Sequence, residues 1–319
     1  MSSIIEQAAK RLEELQRAGV EASPGSSGSG ANGAGVSPAS EAMVLALEER
    51  VHHAPRFSRE ASRAAARTDD GSGVNSRRID LDFARLAARG FVTPDSGATQ
   101  IAEEFRVIKR PIIRNALGQG GAQVKHGNLV MVTSALPSEG KTFTSLNLAL
   151  SIATEIDSTV LLVDGDVAHP SIPEIIGAPH GPGLLDLLTR DDLDFADALV
   201  KTNIDKLSIL PAGSRHRRST ELLASEQMAS LLRQVASRYP DRIIIFDSPP
   251  LLATTEARVL ATNMGQIVMV VAADATSQHA VNQALATIES CEIVLMVLNK
   301  ASRTDVGTYY GYYANDEPG

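Results

Sequence analysis

At 319 residues the chain is long enough for one large α/β domain or two smaller ones. It has no tryptophan and 4% aromatic residues, so its 43% apolar fraction is mostly small and branched, which suits a parallel sheet between helices. A net charge of −8 leaves no basic excess for wholesale nucleic-acid binding, and a single cysteine, Cys291, excludes an internal disulfide and fits a reducing compartment. No apolar run approaches the roughly 20 residues that span a bilayer, and Met1–Leu12 carries charges where a secretion signal has an apolar core. A soluble cytoplasmic chain is expected, with any membrane attachment coming through a partner.

Residues 4–17 place Ile4, Ile5, Ala8, Ala9, Leu12 and Leu15 at helical spacing. They predict an amphipathic helix within residues 1–18 that either caps the main domain or docks on a partner. Residues 19–78 open on a Gly-, Ser-, Ala- and Pro-rich stretch that cannot bury enough apolar surface to order itself. They read as a flexible arm, interrupted by a helical patch at Ala42–Arg50. Segment 79–126 holds two patterned stretches, Ile79–Arg89 and Ala102–Ala116, and reads as a helical oligomerisation segment.

Between residues 127 and 300 the rhythm becomes strand, turn, helix, repeated. Apolar runs at 128–134, 159–164, 207–210, 242–247, 266–272 and 292–297 read as strands buried on both faces, with helical stretches at 142–155, 220–238, 254–262 and 276–289. The alternation predicts a doubly wound, mostly parallel α/β sheet. Ligands in such sheets bind at the carboxyl ends of the strands, so chemistry is expected just after each apolar run.

The first of these runs ends in Ala135-Leu-Pro-Ser-Glu-Gly-Lys-Thr142, followed by a helix. This is a phosphate-binding loop with Ala in place of the first Gly. A tight turn aims successive backbone N–H groups inward, and the helix N-terminus adds its positive dipole end. Gly140 lets the backbone approach phosphates closely, Lys141 reaches the β- and γ-phosphates of ATP, and the Thr142 hydroxyl ligates Mg²⁺. Two later runs end in Asp164-Gly-Asp166 and in Asp247-Ser-Pro-Pro250, projecting carboxylates to the same rim. One is needed for the Mg²⁺ shell and another to orient or deprotonate a nucleophile; spacing does not say which does which.

Of five tyrosines, four lie in Tyr309-Tyr310-Gly-Tyr312-Tyr313, near the end of segment 301–319. A tail of about 20 residues reaches roughly 60 Å when extended, far enough to enter a neighbouring molecule's site. These tyrosines are read as phospho-acceptors.

The loop TSALPSEGKT, Asp164-Gly-Asp166, the DSPP of residues 247–250 and the terminal tyrosines together resemble the bacterial tyrosine kinases of the polysaccharide-export type, over about residues 100–319. The wider chain, including residues 1–21 and 81–111, looks like the tyrosine autokinases of exosortase-type exopolysaccharide systems. The resemblance implies a P-loop fold of the deviant-Walker, MinD/ParA-like type and autophosphorylation in trans within a homo-oligomeric ring. It also implies a membrane polysaccharide co-polymerase as activator, holding the chain at the inner membrane. It implies that Ser138, Glu139, Gly140, Lys141, Thr142, Phe143 and Asn299 bind the nucleotide. Thr142, Asp166 and Asp247 hold the metal, and Lys141, Asp164 and Asp166 serve catalysis, with Asp164 helping to activate the tyrosine hydroxyl.

It further implies that Glu103, Arg106 and Lys109 form the family's Glu-x-x-Arg-x-x-Arg oligomerisation element. Lys109 departs from the second Arg and lacks its planar fork, which predicts weaker subunit contacts. Ala168 stands where the family commonly has Arg; His169 or the run Arg215–Arg218 are candidate substitutes. Two rival readings are a MinD/ParA-like positioning ATPase, whose extra loop lysine is absent here, and a nucleotide-gated, non-catalytic scaffold of an export complex, against which the intact Lys141, Thr142 and three aspartates argue.

Overall fold

The structure, a computed structural model, describes residues 77–97, 99–119, 124–239 and 241–302. The expected N-terminal helix, nearly all of the arm and the tail tyrosines Tyr309, Tyr310, Tyr312 and Tyr313 lie outside the described residues.

In chain order the elements are β1 (Arg77–Ile79), α1 (Phe83–Ala88), α2 (Gln100–Ala116), β2 (Leu129–Ser134), α3 (Lys141–Ala153), β3 (Thr159–Asp164), α4 (Ile172–Ile176), α5 (Leu184–Leu187), α6 (Phe195–Ala198), β4 (Val200–Thr202), β5 (Leu207–Leu210), α7 (Ser219–Leu223), α8 (Glu226–Arg238), β6 (Arg242–Asp247), α9 (Thr255–Ala261), β7 (Gln266–Ala272), α10 (Gln278–Ala286) and β8 (Val294–Asn299). The eight strands form one sheet in the order β1-β4-β5-β3-β6-β2-β7-β8. Every pairing is parallel except β4 with β5.

The central strands carry apolar residues on both faces because both faces are covered. In β2, Leu129 and Met131 enter one apolar cluster while Val130 and Val132 enter the other. The same alternation runs through β3, β6 and β7, whose apolar residues, the half-buried Val271 apart, are all but inaccessible to solvent. Side chains alternate across a pleated strand, so a strand between two helical layers must be apolar at every position. Residues of α8, α9 and α10 cover the first face, and residues of α1, α2 and α3 the second. Burying each large aliphatic side chain contributes about 1.5–3 kcal/mol relative to exposure.

One expectation needs correction. Arg77 and Arg78, assigned to the flexible arm, belong to β1, which pairs with β4; Arg77 Nη2 donates to Ala198 O at 2.8 Å and Pro182 O at 2.5 Å. A three-residue Arg-Arg-Ile strand has no apolar run to announce it. Segment 79–126 holds the two helices α1 and α2, packed on the sheet. Leu86, Phe91, Phe105, Ile112 and Ile113 share a cluster with α3 and the second sheet face, and Asn147 Oδ1 of α3 accepts from the Val92 N–H at 2.6 Å.

β2 has β6 on one side and β7 on the other, and the chain leaves it toward β3 before returning to both neighbours. The carboxyl end of β2 is therefore the topological switch point of the sheet, where a crevice opens between connections that diverge.

Candidate functional site

The loop from Ala135 to Gly140 rises at that switch point. Gly140 has φ of 102°, and a Cβ there would lie 2.0 Å from Asn299 Nδ2, so only glycine fits. Ser138 also lies in the left-handed region, at φ 65°. Helix α3 begins directly at Lys141, with no side-chain cap, so its first N–H groups face the loop's concavity.

Thr142, one residue into α3, donates its hydroxyl to Asp247 Oδ2 at 2.7 Å, and Ser145, one turn on, donates to Asp247 Oδ1 at 2.9 Å. Asp247 ends β6 and is wholly buried. Burial pushes its carboxyl up to about 6, against the pull of the Thr142 and Ser145 hydroxyls.

Asp164 ends the adjacent β3 and is also wholly buried. Its Oδ2 accepts the Ser171 and Ile172 N–H groups, both at 3.1 Å, whereas Oδ1 has no hydrogen-bond partner. Burial first, and the neighbouring Asp247 second, push its carboxyl up to about 8. Asp166, partly exposed, accepts the His169 N–H at 3.1 Å and is raised by burial, with Lys141 among the groups that lower it. Lys141 also acts on Asp247. One cationic side chain thus acts on two carboxylates, one just past the end of β3 and one at the end of β6.

These residues fit a magnesium nucleotide. The Gly140 cradle admits backbone but no Cβ, a buried carboxylate oxygen lacks a partner, and the surrounding donors are hard oxygens of the kind Mg²⁺ prefers. Among the described residues no three His, Cys, Asp or Glu side chains are grouped to hold a metal by themselves. Thr142 and phosphate oxygens would have to complete such a shell.

Other expected site residues are placed differently. The buried Glu139 carboxylate braces the loop from within: Oε2 accepts Leu136 N–H at 2.6 Å, while Oε1 accepts the Thr276 hydroxyl and Ala272 N–H. Its side chain therefore does not face a nucleotide. The Phe143 ring packs on Phe91, at 5.3 Å between centroids, and on Phe105, at 6.5 Å, so only its backbone belongs to the loop. Asn299 Nδ2 donates to Glu139 O at 2.8 Å.

Lys109 is the plainest correction. It is 2% exposed, and its ammonium reaches Ser151 O at 2.6 Å and Glu155 Oε1 at 2.7 Å, tying α2 to the end of α3. A lysine consumed inside its own subunit is no surface contact. Glu103 and Arg106 do lie on the surface, paired with each other one turn apart. His169 and Arg215–Arg218 are exposed, the latter on the loop after β5.

The structure adds Ser145, Ser171 and Thr276 as partners of the candidate site's carboxylates Asp247, Asp164 and Glu139. Ser145 lies three residues after Thr142, on the same helix face, and that spacing was the one available signal.

Fold and loop together define a P-loop nucleotide-binding α/β protein. The chain belongs to the AAA domain family, whose model matches residues 138–299. It is similar to the putative tyrosine-protein kinase CapB of Staphylococcus aureus, 28% identical over 224 residues that cover 70% of this chain and 94% of CapB. It is 31% identical over 189 residues to the tyrosine-protein kinase Wzc of Salmonella typhimurium, covering 58% of this chain but only 26% of Wzc. Among solved structures, the VpsO kinase domain superposes with a TM-score of 0.54 at 29% identity, covering 63% of this chain and 96% of that domain. No helix among the described residues is long and apolar enough to cross a membrane.

Proposed function

We propose that this chain is an ATP-dependent protein-tyrosine kinase that phosphorylates tyrosines of its own C-terminal segment, Tyr309, Tyr310, Tyr312 and Tyr313, in trans within a homo-oligomer. The observation that carries the reading is the buried, partner-free Asp164 Oδ1 beside Asp247 at the rim of the phosphate loop, in a chain whose relatives are named tyrosine-protein kinases.

The tyrosine hydroxyl oxygen forms a bond to the γ-phosphorus, and the bond from that phosphorus to the β–γ bridging oxygen breaks, leaving ADP. The phenolic proton passes to a carboxylate, for which Asp164 is the candidate. A tyrosine hydroxyl has an ordinary pKa near about 10; Asp164, which burial and Asp247 hold protonated in the metal-free site, can take that proton only in the ionised form that a bound cation favours. Lys141 and the loop N–H groups hold the phosphates and take up developing charge. Bound Mg²⁺ supplies charge neutralisation at the phosphate oxygens, with Thr142, Asp247 and Asp166 as its holders. Glu103 and Arg106 serve the subunit contact.

A role in exopolysaccharide synthesis or export, and activation by a membrane-bound polysaccharide co-polymerase, extend the same reading. They are supported by the likeness of the whole motif set to the polysaccharide-export kinases. The narrower likeness to exosortase-associated autokinases rests on the residue patterns of 1–21 and 81–111.

The test is intact mass and peptide mapping after incubation with ATP and Mg²⁺, beside Lys141→Met. Gains of about 80 Da per phosphate, confined to the peptide holding residues 309–313 and absent from the variant, are expected. ATP hydrolysis without any tyrosine phosphate, in the presence of activator tails as well, would overturn the reading in favour of a positioning ATPase.

A further inference from the structure

The turn that precedes Gly140 is gripped from outside by the end of β8. Lys300 Nζ donates to Ser138 O at 2.7 Å, and Asn299 Nδ2 donates to Glu139 O at 2.8 Å. In a planar trans peptide the C=O and the following N–H point in opposite directions. Drawing the Ser138 carbonyl outward therefore turns the Glu139 N–H inward, and drawing the Glu139 carbonyl outward does the same for the Gly140 N–H. These are the amides a phosphate loop must aim at its anion.

The grip is costly to maintain, which argues against coincidence. Ser138 lies at φ 65° and Lys300 at φ 59°, two of the four non-glycine residues in that region among the described residues. L-residues adopt it only when their surroundings hold them there. Asn299 is held in turn, its carbonyl accepting the Ala273 N–H at 2.8 Å. The Glu139 carboxylate, bonded to Leu136 N–H and to Ala272 N–H at the end of β7, closes the brace on the opposite side.

We infer that Lys300 is a positioning residue for the phosphate loop, acting through the Ser138 carbonyl rather than on the substrate. The inference rests on the nucleotide-binding reading of the loop and is independent of which hydroxyl receives the phosphate. Lys300 lies outside the loop motif and is exposed, so its substitution leaves the core intact.

The experiment is titration calorimetry of the full chain with a non-hydrolysable ATP analogue and Mg²⁺, for wild type, Lys300→Met and Lys300→Arg, each with a thermal melt. Lys300→Met is expected to weaken affinity about five- to tenfold, as loss of a charge-assisted hydrogen bond does, with Tm within about 1 °C of wild type. Lys300→Arg is expected to restore binding. Lys300→Met binding within twofold of wild type would overturn the inference, as would weakened binding that Lys300→Arg does not restore or that tracks a falling Tm. Absence of binding by wild type itself would instead overturn the nucleotide reading, and the inference with it.

Discussion

Asp164 and Asp247 are Cα partners at the ends of two neighbouring parallel strands, β3 and β6, and both are wholly buried. Two carboxylates so placed resist ionising together unless a cation joins them. Strand pairing thus makes a site with a preference for positive charge before any ligand arrives.

That pairing has a consequence for stability against pH. The folded-state carboxyl of Asp164 is raised to about 8, against about 3.9 when unfolded. Its contribution to stability is complete below about pH 4 and is lost as pH rises through about 8; that of Asp247 is lost through about 6. Asp164→Asn keeps the shape and removes the titration. Its Tm, relative to wild type in nucleotide-free buffer, is expected to climb steadily from pH 5.5 to pH 8.5. A difference that stays flat across that range would refute the assignment.

Ser145→Ala leaves buried Asp247 with one hydroxyl donor instead of two. The expected cost is about 1–3 kcal/mol in urea unfolding at pH 7, shrinking at pH 5 where Asp247 takes up a proton. An equal cost at both pH values would mean that Ser145 acts through packing alone.

Lys109→Met removes an ammonium bonded to Ser151 O and to a partly exposed Glu155. A loss of about 2–3 kcal/mol is expected, somewhat below the range for fully buried pairs because water reaches Glu155, with no change in oligomeric state. Glu103→Ala with Arg106→Ala is expected to do the reverse: under about 0.5 kcal/mol in stability, with a smaller assembly by light scattering. Dissociation by Lys109→Met at unchanged stability would restore the surface role that its burial removes.

Gly140→Ala places a methyl 2.0 Å from Asn299 Nδ2 on a backbone at φ 102°. The strain is about 1–3 kcal/mol, and the loop relieves it by giving up the Asn299 bond. Affinity for a non-hydrolysable ATP analogue should fall at least about tenfold. Retained affinity would show the loop to be more pliant than this packing allows.

Much of the site was legible in the sequence because its parts are local. Val130 to Val132, Ile243 to Phe246 and Ile267 to Val270 announce strands covered on both faces, since alternation makes such strands apolar at every position. A motif that joins strand to helix fixes Gly140, Lys141 and Thr142 by covalent spacing, and the aspartates that close two apolar runs must fall on the same rim of a parallel sheet. What tertiary structure decided is which atoms meet across the fold. It set Asp164 opposite Asp247, turned Glu139 inward and Phe143 toward Phe91, and buried Lys109 against Ser151. It also brought Lys300 to Ser138 across 162 positions of sequence separation. A side chain's type sets what it can bond, but its partner is chosen by packing among distant elements, and no local pattern carries that choice.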